Sequence, residues 1–125
     1  METDFLTETG QIAWSGITGR QLDYIKIPHD RGVRMILPDQ IIRVEALSNY
    51  SKIFFSTGSH MTVAKVLQWF HLRLPEQMFT RVHRSHLVNK MFIDSIQGRK
   101  LNTIVLRNGE TIVMSRRKKK TLLDG

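Results

Sequence analysis

The stretch Phe79-Thr80-Arg81-Val82-His83-Arg84-Ser85-His86-Leu87-Val88-Asn89 organises the reading of this chain. It sets two arginines, two histidines, a serine and an asparagine among core-type apolar residues at short intervals. It also marks an electrostatic boundary. Residues 1–79 carry eight Lys/Arg and eight Asp/Glu, which cancel. From Thr80 onward there are eleven Lys/Arg against three acids (Asp94, Glu110, Asp124), so the whole formal charge of +8 lies in this part.

Working outward, composition sets bounds. A chain of 125 residues, 41% hydrophobic, suits one domain with an adequate core. There is no cysteine, so disulfides and thiolate metal sites are excluded. No apolar run approaches the roughly 18 residues that a membrane span needs. The acidic start Met1-Glu2-Thr3-Asp4-Phe5 lacks the order of a signal peptide, which makes the cytoplasm the expected location. A pI of about 10.3 favours polyanionic partners, either nucleic acid or an acidic membrane surface.

On the N-terminal side, residues 1–20 hold three glycines and scattered apolar anchors, Trp14 and Ile17 among them, and read as an arm or linker. Short strands follow: Leu22 to Ile27, Val33 to Leu37, Ile41 to Ala46 with its charged residues outward, and Tyr50 to Ser56. Turns fall at Pro28–Gly32, Leu47–Asn49 and Thr57–Ser59. Val63, Val66, Leu67, Phe70 and Leu74 then share one helical face, with Thr62 as N-cap and Pro75 as the stop. Lys65, Gln68 and His71 face outward on that helix.

On the C-terminal side, Met91 to Ile96 reads as a strand. Leu101 to Leu106 and Thr111 to Met114 flank Asn108-Gly109, a strong hairpin signal. Ser115 caps a last helical turn, Arg116 to Leu123. Many short strands with turns about every 6–10 residues, plus one main amphipathic helix, predict a predominantly β domain.

Catalytic chemistry finds little support. His83 and His86 are too few to ligate a structural zinc, and no glycines form a nucleophile elbow around Ser85. No G-x-G-x-x-G or Walker lysine is present, so the expectation is no enzyme, no cofactor and no metal. Arg84 in a tight polar bend and the basic run Arg116 to Lys120 make a better constellation. Arginine suits bidentate reading of guanine edges, whereas Lys118, Lys119 and Lys120 suit phosphate neutralisation.

From these residues the chain resembles the LytTR-type DNA-binding domain of bacterial transcriptional regulators. The resemblance runs from about Ile41 to Leu123. It rests on Ile42-Arg43-Val44-Glu45-Ala46 with Ser48-Asn49-Tyr50, on F-x-R-x-H-R-S-x-x-V-N from Phe79 to Asn89, on Asn108-Gly109 and on Ser115-Arg116-Arg117. It implies a mostly β fold of about ten short strands in small sheets, occupying residues 21–125. It further implies DNA reading by loops between strands, which enter successive major grooves, in place of a recognition helix.

Carried over position by position, Ser51, Arg84 and Arg117 approach bases. Tyr50, Lys52, Ser85, Arg116, Lys118 and Lys119 lie close to DNA or contact phosphate. Asn49, Arg81, His83 and Asn89 brace the site. The resemblance implies double-stranded DNA in paired direct repeats as the partner, with two copies bound and no membrane insertion. Such domains usually follow a receiver domain, and the roughly 40 residues before Ile41 are too few for one. Either the protein works alone, or its signal arrives through a partner chain or a membrane protein. The alternative from another class is a basic module that docks on protein or membrane surfaces without reading sequence.

Overall fold

Residues 41–44 read Ile-Ile-Arg-Val, and all four are buried, which a strand with one solvated face does not permit. The computed structural model describes residues 23–117, and its topology supplies the reason. In chain order the strands are β1 (Ile25–His29), β2 (Gly32–Ile36), β3 (Ile41–Leu47), β4 (Tyr50–Phe55) and β5 (His60–Val63). Helix α1 (Leu67–Arg73) follows, then β6 (Phe79–His83), β7 (His86–Asn89), β8 (Ile93–Gln97), β9 (Thr103–Leu106) and β10 (Thr111–Val113). Short 3-10 turns at Pro38–Gln40 and Lys90–Phe92 lead into β3 and β8.

The strands form a five-stranded sheet in the order β5-β4-β3-β7-β6, a two-stranded sheet β1-β2 and a three-stranded sheet β10-β9-β8. The neighbours in each are antiparallel. Strand β3 sits at the centre of the largest sheet and is covered on both faces. One core gathers Ile25, Ile27 and Ile36 from the β1-β2 hairpin with Leu67 and Phe70 of α1 against Val44, Ile53, Met61 and Leu87. The other packs Ile104, Leu106, Ile112 and Met114 against Ile42, Val82 and Val88. A register shift between Ile41 and Arg43 lets Ile41 and Val44, three residues apart, reach the same core.

Several expected boundaries move, each for a physical reason. The helix does not begin near Val63. His60-Met61-Thr62-Val63 is strand β5, its buried Met61 and Val63 alternating with exposed residues. Val63 and Leu67 do enter one core, as a four-residue spacing predicts, but from two different elements. The N-cap is Val66, 49% exposed and without a side-chain capping bond, in place of Thr62. Of the expected helical face, Leu67, Phe70 and Leu74 are buried.

In the strand expected from Met91, Met91 and Phe92 instead belong to a 3-10 turn, where Asn89 accepts from the Met91 N–H at 2.9 Å. Strand β9 starts at Thr103 because Gly98 and Leu101 turn the chain, with φ +97° and +51°. In the β3–β4 turn it is Ser48, not Asn49, that takes the left-handed conformation, with φ +58°. The hairpin at Asn108-Gly109 forms as expected, with Gly109 at φ +92°. The expected arm over residues 1–20 lies outside the described residues. So does most of the C-terminal helical turn, of which Arg116 and Arg117 are seen as helical.

Candidate nucleic-acid interface

The pairing pattern brings three basic or polar segments to one end of the five-stranded sheet. Antiparallel pairing of β3 with β7 sets Glu45 opposite His86, so the β3–β4 turn and the β6–β7 turn emerge at the same end. The Ala46 N–H donates to the Ser85 carbonyl at 2.9 Å, which fastens the two turns together. The segment after β10 joins them, since the Ser115 N–H donates to the Val82 carbonyl at 2.8 Å.

Phe79–Asn89 is therefore a hairpin of β6 and β7 closed by the two residues Arg84 and Ser85. Its apolar residues fix it on both sides: Phe79 and Leu87 enter one core, Val82 and Val88 the other. The polar residues hold the turn. Arg81 donates through Nη2 to the Arg84 carbonyl at 2.6 Å and through Nη1 to Gln68 Oε1 at 3.0 Å. The Ser85 N–H donates to His83 Nδ1, which accepts at 3.1 Å. Fully buried Asn89 donates to the Ile41 carbonyl at 2.9 Å. With its backbone anchored, the exposed Arg84 side chain is free to leave the surface.

Gln68, His71, Arg81, His83, Arg84, Ser115 and Arg117 line one open cleft of about 520 Å³ at this end of the sheet. Arg84 and Arg117, 33 positions apart in the sequence, share it. An open cleft with three arginines and two histidines on its walls suits an anionic, extended ligand better than a small apolar one.

Behind the turns lies a partly buried ionic cluster. The Arg43 guanidinium donates to both carboxylate oxygens of Glu110, at 3.1 and 3.3 Å, and to Glu45 at 2.9 Å. It also lies 3.7 Å from the centre of the Phe54 ring. Burial works against its charge, but bonds to Glu110 and then Glu45 hold its pKa above the ordinary arginine value. The bond from Arg43 holds the Glu110 carboxyl below its usual range, against partial burial, and Asn108 adds to the effect. Arg43 was expected to point outward; instead it ties the central strand to the β9–β10 hairpin. His86 sits beside this cluster, its ring centre 5.6 Å from that of His83. Its Nδ1 is buried and has no hydrogen-bond partner among the described residues, and burial pushes its pKa down.

A family model for the LytTr DNA-binding domain matches residues 31–124. The chain belongs to the LytTr DNA-binding domain family. A similar solved structure is the LytTr DNA-binding domain of a protein described as a methyl-accepting/DNA response regulator from Bacillus cereus. It superposes with a TM-score of 0.68 at 22% identity, covering 82% of this chain and 94% of that one. It shares the fold. No curated protein matches the chain.

Within this LytTr domain, the residues expected at the site separate by exposure. Arg84, Arg116, Arg117, Asn49 and Tyr50 are exposed, and Lys52, Ser85, Arg81 and His83 are half-buried. Ser51 departs from expectation. It is 0% exposed, and its hydroxyl donates to the Lys65 carbonyl at 2.7 Å, so in this conformation it cannot touch a base. Its neighbours Tyr50 and Lys52 remain accessible at that turn. Lys118 and Lys119 lie outside the described residues. Gln68 and His71 were read only as outward helical positions, and that register was the sole signal that they border the site. Among the described residues, no helix is long and apolar enough to cross a membrane, and no group of three or more His, Cys, Asp or Glu is placed to hold a metal.

Proposed function

We propose that this LytTr domain is a sequence-specific, double-stranded DNA-binding transcriptional regulator that reads DNA with the turns at one end of its five-stranded sheet. The observation that carries the reading is the convergence of Arg84 and Arg117 on one cleft, each exposed and each on a segment hydrogen-bonded to the sheet. Arginine guanidinium groups held this way suit bidentate bonds to guanine O6 and N7 in the major groove. Ser85, Arg116, Lys118 and Lys119 contact phosphates, and Tyr50 and Lys52 lie beside the DNA at the β3–β4 turn. Arg81, His83 and Asn89 brace the β6–β7 turn.

Residues 21–125 form the DNA-binding unit. Two copies occupy paired direct repeats, and a partner protein supplies the input signal. The role is one of binding, without a catalytic step, and is exercised in the cytoplasm.

The test is enrichment of duplexes from a random pool by the whole chain, repeated with Arg84→Ala. The wild-type protein is expected to enrich one motif, and the variant to lose information at one base position of it. A pool in which no motif emerges at low salt sinks the proposal.

A further inference from the structure

Arg84 hangs from a turn only two residues long, so the direction of its side chain is set by how that turn's backbone is held. Three contacts hold it. Two are made within the sheet: Ser85 N–H to His83 Nδ1, and Ser85 O from Ala46 N–H. The third fixes the carbonyl of Arg84 itself and runs through the Arg81 guanidinium, which also reaches back to Gln68 on α1. A guanidinium is planar and its N–H vectors are rigidly related, so holding one amino group orients the other. Arg81 has no acceptor atom and must donate both bonds, which makes the Gln68 amide oxygen its partner. Helix α1 is itself seated by Leu67, Phe70 and Leu74 in the hydrophobic core. Gln68 thereby refers the position of the turn to an element packed in the hydrophobic core.

We propose that Gln68 is a positioning residue for DNA reading: by clamping Arg81, it fixes the Arg84 carbonyl and so aims the Arg84 side chain at its base. The inference rests on the reading that Arg84 contacts a base. A neutral amide is well suited to the place. It supplies the acceptor that Arg81 needs without setting a negative charge beside phosphates. Without the clamp, Arg81 keeps its bond to the carbonyl but loses its fixed orientation, and the turn gains freedom. The loss falls on discrimination between sequences, while phosphate binding is left alone.

The experiment compares the whole chain and its variants on the enriched duplex and on a scrambled duplex by fluorescence anisotropy across a salt series. Gln68→Ala is expected to lower the ratio of the two affinities by about three- to tenfold. Its affinity for the scrambled duplex, its salt slope and its melting temperature stay near wild type. Gln68→Glu keeps an acceptor for Arg81, so it restores the ratio while weakening both duplexes alike through its added charge. Combining Gln68→Ala with Arg84→Ala costs no more discrimination than Arg84→Ala alone, as expected if Gln68 acts through Arg84.

An unchanged ratio in Gln68→Ala overturns the inference. So does a ratio lower in Gln68→Glu than in Gln68→Ala, which marks a direct amide contact with DNA. The outcome for Arg84→Ala separates the two layers. If it lowers the ratio while Gln68→Ala does not, only the positioning role fails. If Arg84→Ala leaves the ratio intact, the base-reading assignment falls and takes the clamp with it.

Discussion

The Ser51 hydroxyl donates to the main-chain carbonyl of Lys65 at 2.7 Å from a fully buried position, binding the loop ahead of α1 to strand β4. Ser51 pairs with Ala46 on one side and Val63 on the other, so the bond continues the row of contacts that begins at Ser85. Removing the donor leaves a partly buried carbonyl without its partner.

Ser51→Ala is therefore expected to lower stability by about 1 kcal/mol. The base preferences of the protein should stay the same. Denaturant melts together with motif enrichment check both halves. A variant of unchanged stability that loses specificity at one base position returns Ser51 to the set of DNA contacts.

Arg43 and Glu110 supply a second prediction. Glu110→Ala leaves Arg43, whose side chain is only 10% exposed, with Glu45 as its remaining carboxylate. Glu110 is itself 39% exposed, which screens part of the interaction. The expected cost is on the order of 1–3 kcal/mol, below that of breaking a wholly buried pair. The pH dependence follows from the sign of the shift. The folded-state pKa of Glu110 lies below its unfolded value, so its contribution is present above the unfolded pKa and is lost as pH falls through the folded one. Melting curves between neutral and acid pH should show this loss in the wild type and a shallower one in Glu110→Ala. Parallel curves for the two proteins argue against the pair.

These two cases show how far the sequence could be read. The bend at Arg84 and the Asn108-Gly109 turn were legible because each combines local turn chemistry with apolar anchors on either side. Arg43 was not. A charged residue between Ile42 and Val44 reads as the solvated face of a strand, and only the packing of a second sheet over β3 makes it interior. Val63 misled for a related reason: its spacing from Leu67 fits a helix and equally fits a strand and a helix that enter one core. The candidate site was readable where a local motif carries it, in the two arginines Arg84 and Arg117 that line one cleft. It was opaque at Gln68, whose partner Arg81 is 13 residues away and reached only through the fold.

His86 gives a prediction at milder pH. Its imidazole is partly buried, Nδ1 has no partner among the described residues, and the charged or titratable groups there that act on it are Glu45, Arg43 and His83. Burial depresses its pKa, so the unfolded chain takes up a proton first as pH falls. Stability should therefore decline as pH drops below about 6.5, the ordinary histidine value, until the folded pKa is passed. His86→Leu is expected to flatten that decline, as measured by melting temperature at closely spaced pH values between 7.5 and 5. If the slope in this window is the same in both proteins, the pH sensitivity arises elsewhere.

The last prediction separates reading from holding on. Phosphate contacts raise affinity for every duplex, and each contributes to the salt dependence, log K falling by about 0.9 per neutralised phosphate. Base contacts favour one sequence, by about 1–3 kcal/mol for a good bidentate pair. Arg84 and Arg117, exposed on one cleft from two separate segments, are assigned to the second class. Lys119 is assigned to the first. Arg84→Ala and Arg117→Ala should thus each cost about 1–3 kcal/mol on the preferred duplex, relax a different base position, and weaken a scrambled duplex far less. Lys119→Ala should weaken both duplexes in proportion and reduce the salt slope by about one unit. Titrations of both duplexes at several salt concentrations distinguish these patterns. If Arg84→Ala and Lys119→Ala reduce specific and nonspecific binding by the same factor, the division of roles between the turn and the C-terminal segment is wrong.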